Sequence, residues 1–429
     1  MMKAEILATG DEIRSGALVD SNSAYIAEVL EREGIEVTRH HCVGDDLKTL
    51  VAVLDEIAQR ADVALVTGGL GPTADDLTTE AVAQAAGLDL VLNTDALATI
   101  EAFFKRMGRP MSRSNRKQAR FPRGSQVLPN PIGTAPGFKT IINGCAFFCL
   151  PGVPREMRKM LAGEVTPQLI SLSGNARQFS LVRTLSTFGS TESMIGERVS
   201  GVIADFPEIR LGLRAKFPEI QVRLYIRGNN EARLNHRLDV VAERIGANLG
   251  NKVFSDDGRS MQTVVGDLLI EKDATVALAE SCTGGLIAHL LTNVPGSSRY
   301  FLFSGVTYAN EAKIKVLGVP SETIERYGAV SLQTVRRMAA GAREAAKATY
   351  GIATSGIAGP EGGTKEKPVG TVCIGLAGPN GVTAKRLYFP YGNRTAKKKL
   401  FAMAALDTLR RHLLGMEGLD EIIKNRNKE

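Results

Sequence analysis

Short apolar runs alternate with amphipathic stretches along this chain, and the alternation divides it before any chemistry is considered. Ala4-Glu5-Ile6-Leu7-Ala8-Thr9 reads as a strand. Residues 22–33 read as a helix, because Ile26, Val29 and Leu30 recur at i, i+3 and i+4. Glu36-Val37-Thr38-Arg39-His40 is a second strand, residues 47–60 a second helix, and Val63-Ala64-Leu65-Val66-Thr67 a buried third strand. This βαβαβ order predicts a doubly wound parallel sheet. Cys145 to Leu150 is a further apolar strand.

From about residue 177 the pattern changes to a strand (179–186), a helix (192–203), a strand pair (209–216 and 220–227) and a helix (231–249). That is a small α+β module with KH-like order, but it lacks the G-x-x-G clamp that KH domains use on RNA. The turn-forming Ser255-Asp256-Asp257-Gly258 marks the next boundary. Beyond it, strands at Thr275–Leu278, Tyr300–Tyr308 and Gly351–Ser355 each run into a polar turn. In an open parallel sheet such turns meet at the carboxyl edge, where ligands bind. The expected layout is α/β, with domains over 1–170, 171–256 and 257–429.

Composition narrows the class. The 429 residues suffice for two to four domains, and 44% hydrophobic with 23% charged residues fits a soluble globular protein. With no Trp and few other aromatics, the core must rest on Leu, Ile, Val and Ala. A net charge of +7 favours anionic ligands only weakly. Five scattered cysteines do not form a disulfide framework, and Cys145 and Cys149 read as core. The opening residues 1–5 place an acid before a short strand, which is not a signal peptide, and no stretch approaches the ~20 apolar residues of a membrane span. A cytoplasmic protein without a membrane partner is expected.

Two stretches carry the chemistry. Ala279-Glu280-Ser281-Cys282-Thr283-Gly284-Gly285 breaks a strand sharply into a helix. Backbone N–H groups there suit an anion or an oxyanion, and a hydroxyl or thiol at the turn can act as nucleophile. The plainer alternative is a capped helix with glycines in a tight turn. No His, Cys or Asp cluster has zinc-ligand spacing. In the first domain, Gly10-Asp11-Glu12, Asp20-Ser21-Asn22 and the loop from Thr67 to Thr78 end strands. Their glycines admit a phosphate, and adjacent carboxylates suit a hard cation such as Mg²⁺; a Gly-rich turn with Asp at a helix start is the alternative. Gly69, Gly71 and Ala74 match G-x-G-x-x-G/A loosely, but after the third strand and around Pro72, so nicotinamide redox chemistry is not expected. Residues 105–123 hold eight Lys or Arg and no acid, which reads either as a solvated basic face or as cations for a diphosphate. Aromatic interleaving is thin, so nucleic acid is not an expected partner. Turn-dense loops follow at 129–138 and 151–157.

The chain resembles the CinA family. The resemblance rests on Ala279 to Gly285, on Tyr308 with Lys313, on Ser355-Gly356-Ile357-Ala358-Gly359-Pro360, and on the Thr67 to Thr78 loop, which is similar to the molybdopterin-binding fold as that family uses it. It implies an N-terminal molybdopterin-binding-like domain with ADP-ribose pyrophosphatase activity and a C-terminal α/β domain that deamidates nicotinamide mononucleotide. It implies a divalent cation for the first domain and no cofactor for the second. Among site residues, it points to Ser281 as nucleophile, Lys313 as base, Tyr308 as proton relay or amide clamp, and Ser298 and Ser355 as further hydroxyls, the last where the family often has Thr. Thr283, Gly284, Gly285, Gly356 and Arg394 would bind oxyanion and phosphate. Thr67, Gly68, Gly69, Gly71, Thr73, Asn115, Lys117 and Thr134 would bind ADP-ribose, with Asp75, Asp76 and Asp11 on the metal. The middle module reads as a linker or dimerisation element, giving a homodimer. A non-catalytic nucleotide- or molybdopterin-binding scaffold tied to DNA uptake is the alternative.

Overall fold

Runs that are apolar without alternation become the centres of sheets buried on both faces. In the N-terminal part the strands are β1 (Lys3–Thr9), β2 (Glu36–Val43), β3 (Val63–Thr67), β4 (Leu90–Leu92), β5 (Arg120–Pro122), β6 (Gln126–Leu128), β7 (Gly137–Ile142) and β8 (Cys145–Leu150). Six of them form a sheet in the order β2-β1-β3-β8-β7-β6, while β4 pairs with β5. The central β3 and β8 are buried throughout. Along β1 the side chains alternate between two cores. Ile6 joins Ile26, Val29 and Leu30 of the helix Ser21–Arg32 on one face. Leu7 joins Leu50, Leu54 and Ile57 of the helix Leu47–Ala58 on the other. Asp20 and Asp46 cap these helices, accepting the amides of Ser23 and Thr49 at 2.9 Å.

The sheet is parallel from β2 to β8, but β7 and β6 add an antiparallel edge. The cause is local: Asn143 and Gly144, both at positive φ, join β7 to β8 in a two-residue hairpin. The Asn-Gly pair is a hairpin signal that the reading of strands one at a time passes over.

The structure, a computed structural model, describes residues 2–173 and 179–416. The chain divides into two compact units, residues 1–182 with 226–236, and residues 183–225 with 237–429. After the N-terminal sheet come β9 (Phe179–Thr187), β10 (Arg210–Lys216), β11 (Glu219–Gly228) and β12 (Val253–Ser255), paired in the order β10-β11-β9-β12. The expected α+β module is present, with β12 added. Then come β13 (Val276–Glu280), β14 (Phe301–Val306), β15 (Tyr350–Gly356), β16 (Thr371–Gly378) and β17 (Gly381–Tyr388), ordered β14-β13-β15-β16-β17. β14, β13 and β15 are parallel; β16 and β17 return antiparallel. Among the described residues no helix is long and apolar enough to cross a membrane.

The boundary turn after Ser255 does not separate the cores on its two sides. Phe188 and Phe254 belong to the same apolar cluster as Met261, Val265, Phe401 and Leu413. The buried Arg410, on the helix Arg394–Leu413, donates to the backbone carbonyl of Asn251 at 2.8 Å. Its guanidinium and that of Arg411 share one buried carboxylate, Asp407, at 2.8 and 2.7 Å. Asp407→Ala would leave two guanidiniums buried with no counter-charge. The expected loss is about 3–5 kcal/mol, seen as a lower urea midpoint for this unit; an unchanged midpoint contradicts the account.

Candidate active site

Three parallel strands deliver their last residues to one place. A cavity of about 180 Å³ lies at the carboxyl ends of β13, β14 and β15, lined by Ser281, Tyr308, Lys313, Ser355, Gly356 and Arg394, with Cys282 and Asn310 beside them. The turn that presents Ser281 is braced from below. Ser281 donates its amide to Thr354 O at 3.0 Å, and Gly284 closes the turn onto Ser281 O at 3.1 Å. Glu280, fully buried, accepts the amides of Ile287 and Ala288 at 3.1 and 2.9 Å. Thr283, also fully buried, shares a hydroxyl contact of 2.8 Å with Thr354. Among the described residues the amides of Thr283 and Gly285 have no backbone acceptor, whereas that of Gly284 is used in the turn.

Lys313 is 1% exposed, at the start of the helix Asn310–Leu317. Its amine donates to the carbonyls of Thr307 and Tyr308, both at 2.9 Å, with Ala309 O at 3.5 Å. Burial pulls its pKa below the ordinary lysine value; Cys282 and Glu311 oppose that pull. An amine that gives two N–H groups to carbonyls keeps a lone pair for a third direction. Arg394 donates to Gly359 O at 2.6 Å and to the Tyr308 hydroxyl at 3.0 Å, so one guanidinium orders the tyrosine at the mouth. Ser355 donates to Ala329 O at 2.8 Å.

The same burial acts the other way on the neighbouring thiol. Cys282 is pushed up to about 12 by desolvation, so it stays protonated at neutral pH. No imidazole lines the cavity: His289 is exposed, 3.1 Å from Asn293. An ionised thiol is therefore not favoured at Cys282, which leaves the Ser281 hydroxyl as the candidate nucleophile of this turn.

In the first unit a hollow of about 400 Å³ opens where β1 and β3 end. Thr67, Gly68, Gly69, Gly71 and Thr134 line it, and so do the acids Glu12, Asp20, Asp45, Asp75, Asp76 and Glu156. Asp45 is raised by burial and by the charges of Asp11, Glu12 and Asp75, so negative charge converges here. Asp75 is held low by the Thr73 hydroxyl, and Lys117 adds to the effect. Asp76 is committed within its loop, accepting the Thr73 amide at 2.8 Å and the Thr73 hydroxyl. Asp11 pairs with Arg14 at 3.0 Å. Among the described residues no three His, Cys, Asp or Glu side chains stand close enough to hold a metal by themselves. Oxygen donors from one or two carboxylates, completed by phosphate oxygens, are nonetheless the usual setting for Mg²⁺. Asp45 and Asp75, whose charges act on each other across the hollow, suit that setting, while Asp76 and Asp11 are engaged by Thr73 and Arg14.

Three family models match in succession: the probable molybdopterin binding domain over residues 5–171, the damage-inducible protein CinA KH domain over 182–255, and the CinA C-terminal domain over 258–413. A CinA-like protein of Desulfosudis oleivorans is 54% identical over 413 residues, covering 96% of this chain and 100% of its own. The chain belongs to the CinA family. A CinA-like protein of Desulforapulum autotrophicum is 48% identical over 97% of this chain and 99% of its own. A crystal structure of CinA from Thermoplasma acidophilum is 35% identical over 39% of this chain and 97% of that chain, with a TM-score of 0.37. Another, described as competence/damage inducible protein CihA from Agrobacterium tumefaciens, is 38% identical over 36% of this chain and 97% of that chain, with a TM-score of 0.35. The three-domain CinA layout, with a molybdopterin-binding-like first domain and a KH-like middle, is thus the architecture of this chain.

Against this CinA framework the expected residues separate clearly. Ser281, Tyr308, Lys313, Ser355, Gly356 and Arg394 meet in one cavity. Ser298 does not: it is exposed in the turn before β14, at the amino end of that strand, while the cavity is at the carboxyl end. Thr283, Gly284 and Gly285 form the turn but do not line the cavity. Lys117 gives its ammonium to Thr73 O, Asp76 O and Glu80, and Asn115 donates to Gln118, so both brace the acidic loop instead of facing the hollow. Thr73 likewise stays within the loop. Most of the basic stretch is exposed; apart from Lys117, all of its Lys and Arg residues are, with Arg106 over the Phe103 ring and Arg123 beside Asp89.

Asn310, Asp45 and Gln118 escaped the sequence reading. Asp45 had a signal, since Val43-Gly44-Asp45-Asp46 ends β2 just as the noted loops end β1 and β3. The thiol environments give a direct check. In the native protein iodoacetamide at pH 7.5 should label the exposed Cys42 and leave Cys282 unmodified, as read by peptide mass spectrometry. Rapid labelling of Cys282 would show an ionised thiol in the cavity.

Proposed function

We propose that the C-terminal domain hydrolyses the carboxamide of nicotinamide mononucleotide, releasing ammonia and nicotinate mononucleotide. The observation that carries the reading is the meeting of Ser281 with a buried, pKa-lowered Lys313, Tyr308, Ser355 and Arg394 in one cavity. Lys313 takes the proton of Ser281 Oγ as the oxygen adds to the carboxamide carbon. The tetrahedral oxyanion is met by hydrogen-bond donors that line the cavity, the Tyr308 hydroxyl and the Asn310 side chain. The C–N bond then breaks, and Lys313 returns its proton to the leaving nitrogen as ammonia forms. Water hydrolyses the resulting ester: Lys313 accepts the proton of the water and passes it to Ser281 Oγ. Tyr308, held by Arg394, orients the amide, and Ser355 shapes the wall opposite.

Ser281→Ala should abolish ammonia release with the fold intact by circular dichroism, while Cys282→Ala keeps most of it; the reverse outcome reassigns the nucleophile. Lys313→Met should lose about a hundredfold or more, the scale of general-base catalysis. Because the neutral amine is the active form and its pKa is lowered, the rate should rise with pH and level off below 10.5, the ordinary lysine value. Lys313→Arg, protonated throughout, should be inactive along the whole profile.

For the N-terminal domain we infer hydrolysis of the pyrophosphate of ADP-ribose. Support comes from the Gly68-Gly69-Leu70-Gly71 backbone beside an acid-rich hollow. A divalent cation, when bound, supplies charge neutralisation at the phosphates. Asp45 and Asp75 would hold it together with oxygens of the phosphates, while Lys117 and Thr73 keep the loop in shape. EDTA should stop ADP-ribose hydrolysis and spare nicotinamide mononucleotide deamidation in the same preparation. Equal loss of both activities contradicts two independent sites.

A further inference from the structure

The helix Arg394–Leu413 begins against its own electrostatics. Its first two turns carry Arg394, Lys397, Lys398 and Lys399 and no acid. Cations at the amino end of a helix oppose the macrodipole, so such a cluster is disfavoured unless a negative charge answers it. Two of the four are occupied internally. Arg394 is bonded to Gly359 O and Tyr308, and the buried Lys397 donates to Gly392 O. Lys398 is different. It is half-buried, and no hydrogen bond or ion pair joins it to any described residue. Its ammonium lies 3.2 Å from the point where a β-carbon on Gly284 would stand. Gly284 is exposed, at φ +60°, in the turn that presents Ser281. The absent side chain leaves the ammonium open at that turn.

Lys398 and Arg394 are one helical turn apart, at i and i+4 on one face. Arg394 lines the cavity, and Lys398 stands at the nucleophile turn beside it. The turn closes from Ser281 to Gly284, which holds their Cα atoms within about 7 Å. An anion at Lys398 therefore lies a short ligand's length from the nucleophile.

We propose that Lys398 is a substrate-binding residue: with Arg394 it grips the phosphomonoester of the substrate while the carboxamide meets Ser281. This inference rests on the deamidation reading for the identity of the ligand. The phosphomonoester answers the uncompensated charge of the helix start. It also explains why a cation without a partner is kept against a glycine. The same pair selects nucleotides over nucleosides.

The test uses the full chain, two substrates that differ only in the phosphate, nicotinamide mononucleotide and nicotinamide riboside, and inorganic phosphate as a separate probe. Lys398→Met should raise KM for the mononucleotide roughly ten- to a hundredfold, the worth of one charge-assisted hydrogen bond, with kcat nearly unchanged. It should leave kcat/KM for the riboside unaltered and weaken inhibition by phosphate in parallel. Lys398→Arg should restore most of the loss. An unchanged KM for the mononucleotide, or equal losses for both substrates, overturns the proposal. If the wild-type chain releases ammonia from neither, the deamidation reading fails alone. Calorimetric binding of inorganic phosphate then decides the subsite: weakening in Lys398→Met upholds it, and identical binding in both chains overturns it.

Discussion

A carboxylate shut away from water must find donors inside the protein, and Glu280 finds them in the amides of Ile287 and Ala288. Glu280 is the last residue of β13, and the two amides open the helix Leu286–Thr292. One side chain thus ties the end of a central strand to the start of the next helix. Everything between them, Ser281 included, is held in a turn of fixed shape. The bond has a second consequence. Two amides at the helix start are consumed by this carboxylate and are not free for a ligand. The cavity combines a rigid floor with a charged rim.

Desolvation then sets the chemistry of that floor. Removing water disfavours whichever form of a group is charged. For Lys313 it favours the neutral amine, and for Cys282 the neutral thiol. A single cause therefore leaves a neutral amine and a neutral thiol favoured side by side. The carbonyls of Thr307 and Tyr308 hold the lysine and so limit the freedom of the amine. Removing Lys313 would also leave these carbonyls without a donor, so this residue couples the loop after β14 to the reactive centre.

The cavities of the two units differ in charge. The cavity around Ser281 is lined by two basic side chains, Lys313 and Arg394. The hollow at β1 and β3 is lined by Glu12, Asp45, Asp75 and other acids, and its lining among the described residues includes no Lys or Arg. A phosphate entering there meets repulsion unless a divalent ion comes with it. Asp76, which looks from its neighbours like half of a paired ligand, is spent on Thr73 and so stabilises the loop that carries Asp75.

Local pattern alone determined most elements of this protein, because helix and strand periodicity are properties of residues a few positions apart. The strands β1 and β3, the helix Glu192–Ile203, the helix Glu231–Leu249 and the Ser281 turn lie where the sequence indicates. So do the residues at the ends of β13, β14 and β15, since parallel strands put every carboxyl end on one edge. Tertiary structure alone decided the rest. Ser298 and Tyr308 flank the same strand, yet only Tyr308 reaches the cavity, because strand direction sends the two to opposite edges. Asp45 joins Glu12 and Asp75 only because β2 lies next to β1 and β1 next to β3. Lys398 reads as one basic residue among several until the fold sets it against Gly284. Which residues share a site depends on strand order and on the faces that helices turn inward. Those are contacts between segments tens or hundreds of residues apart, and no window along the chain contains them.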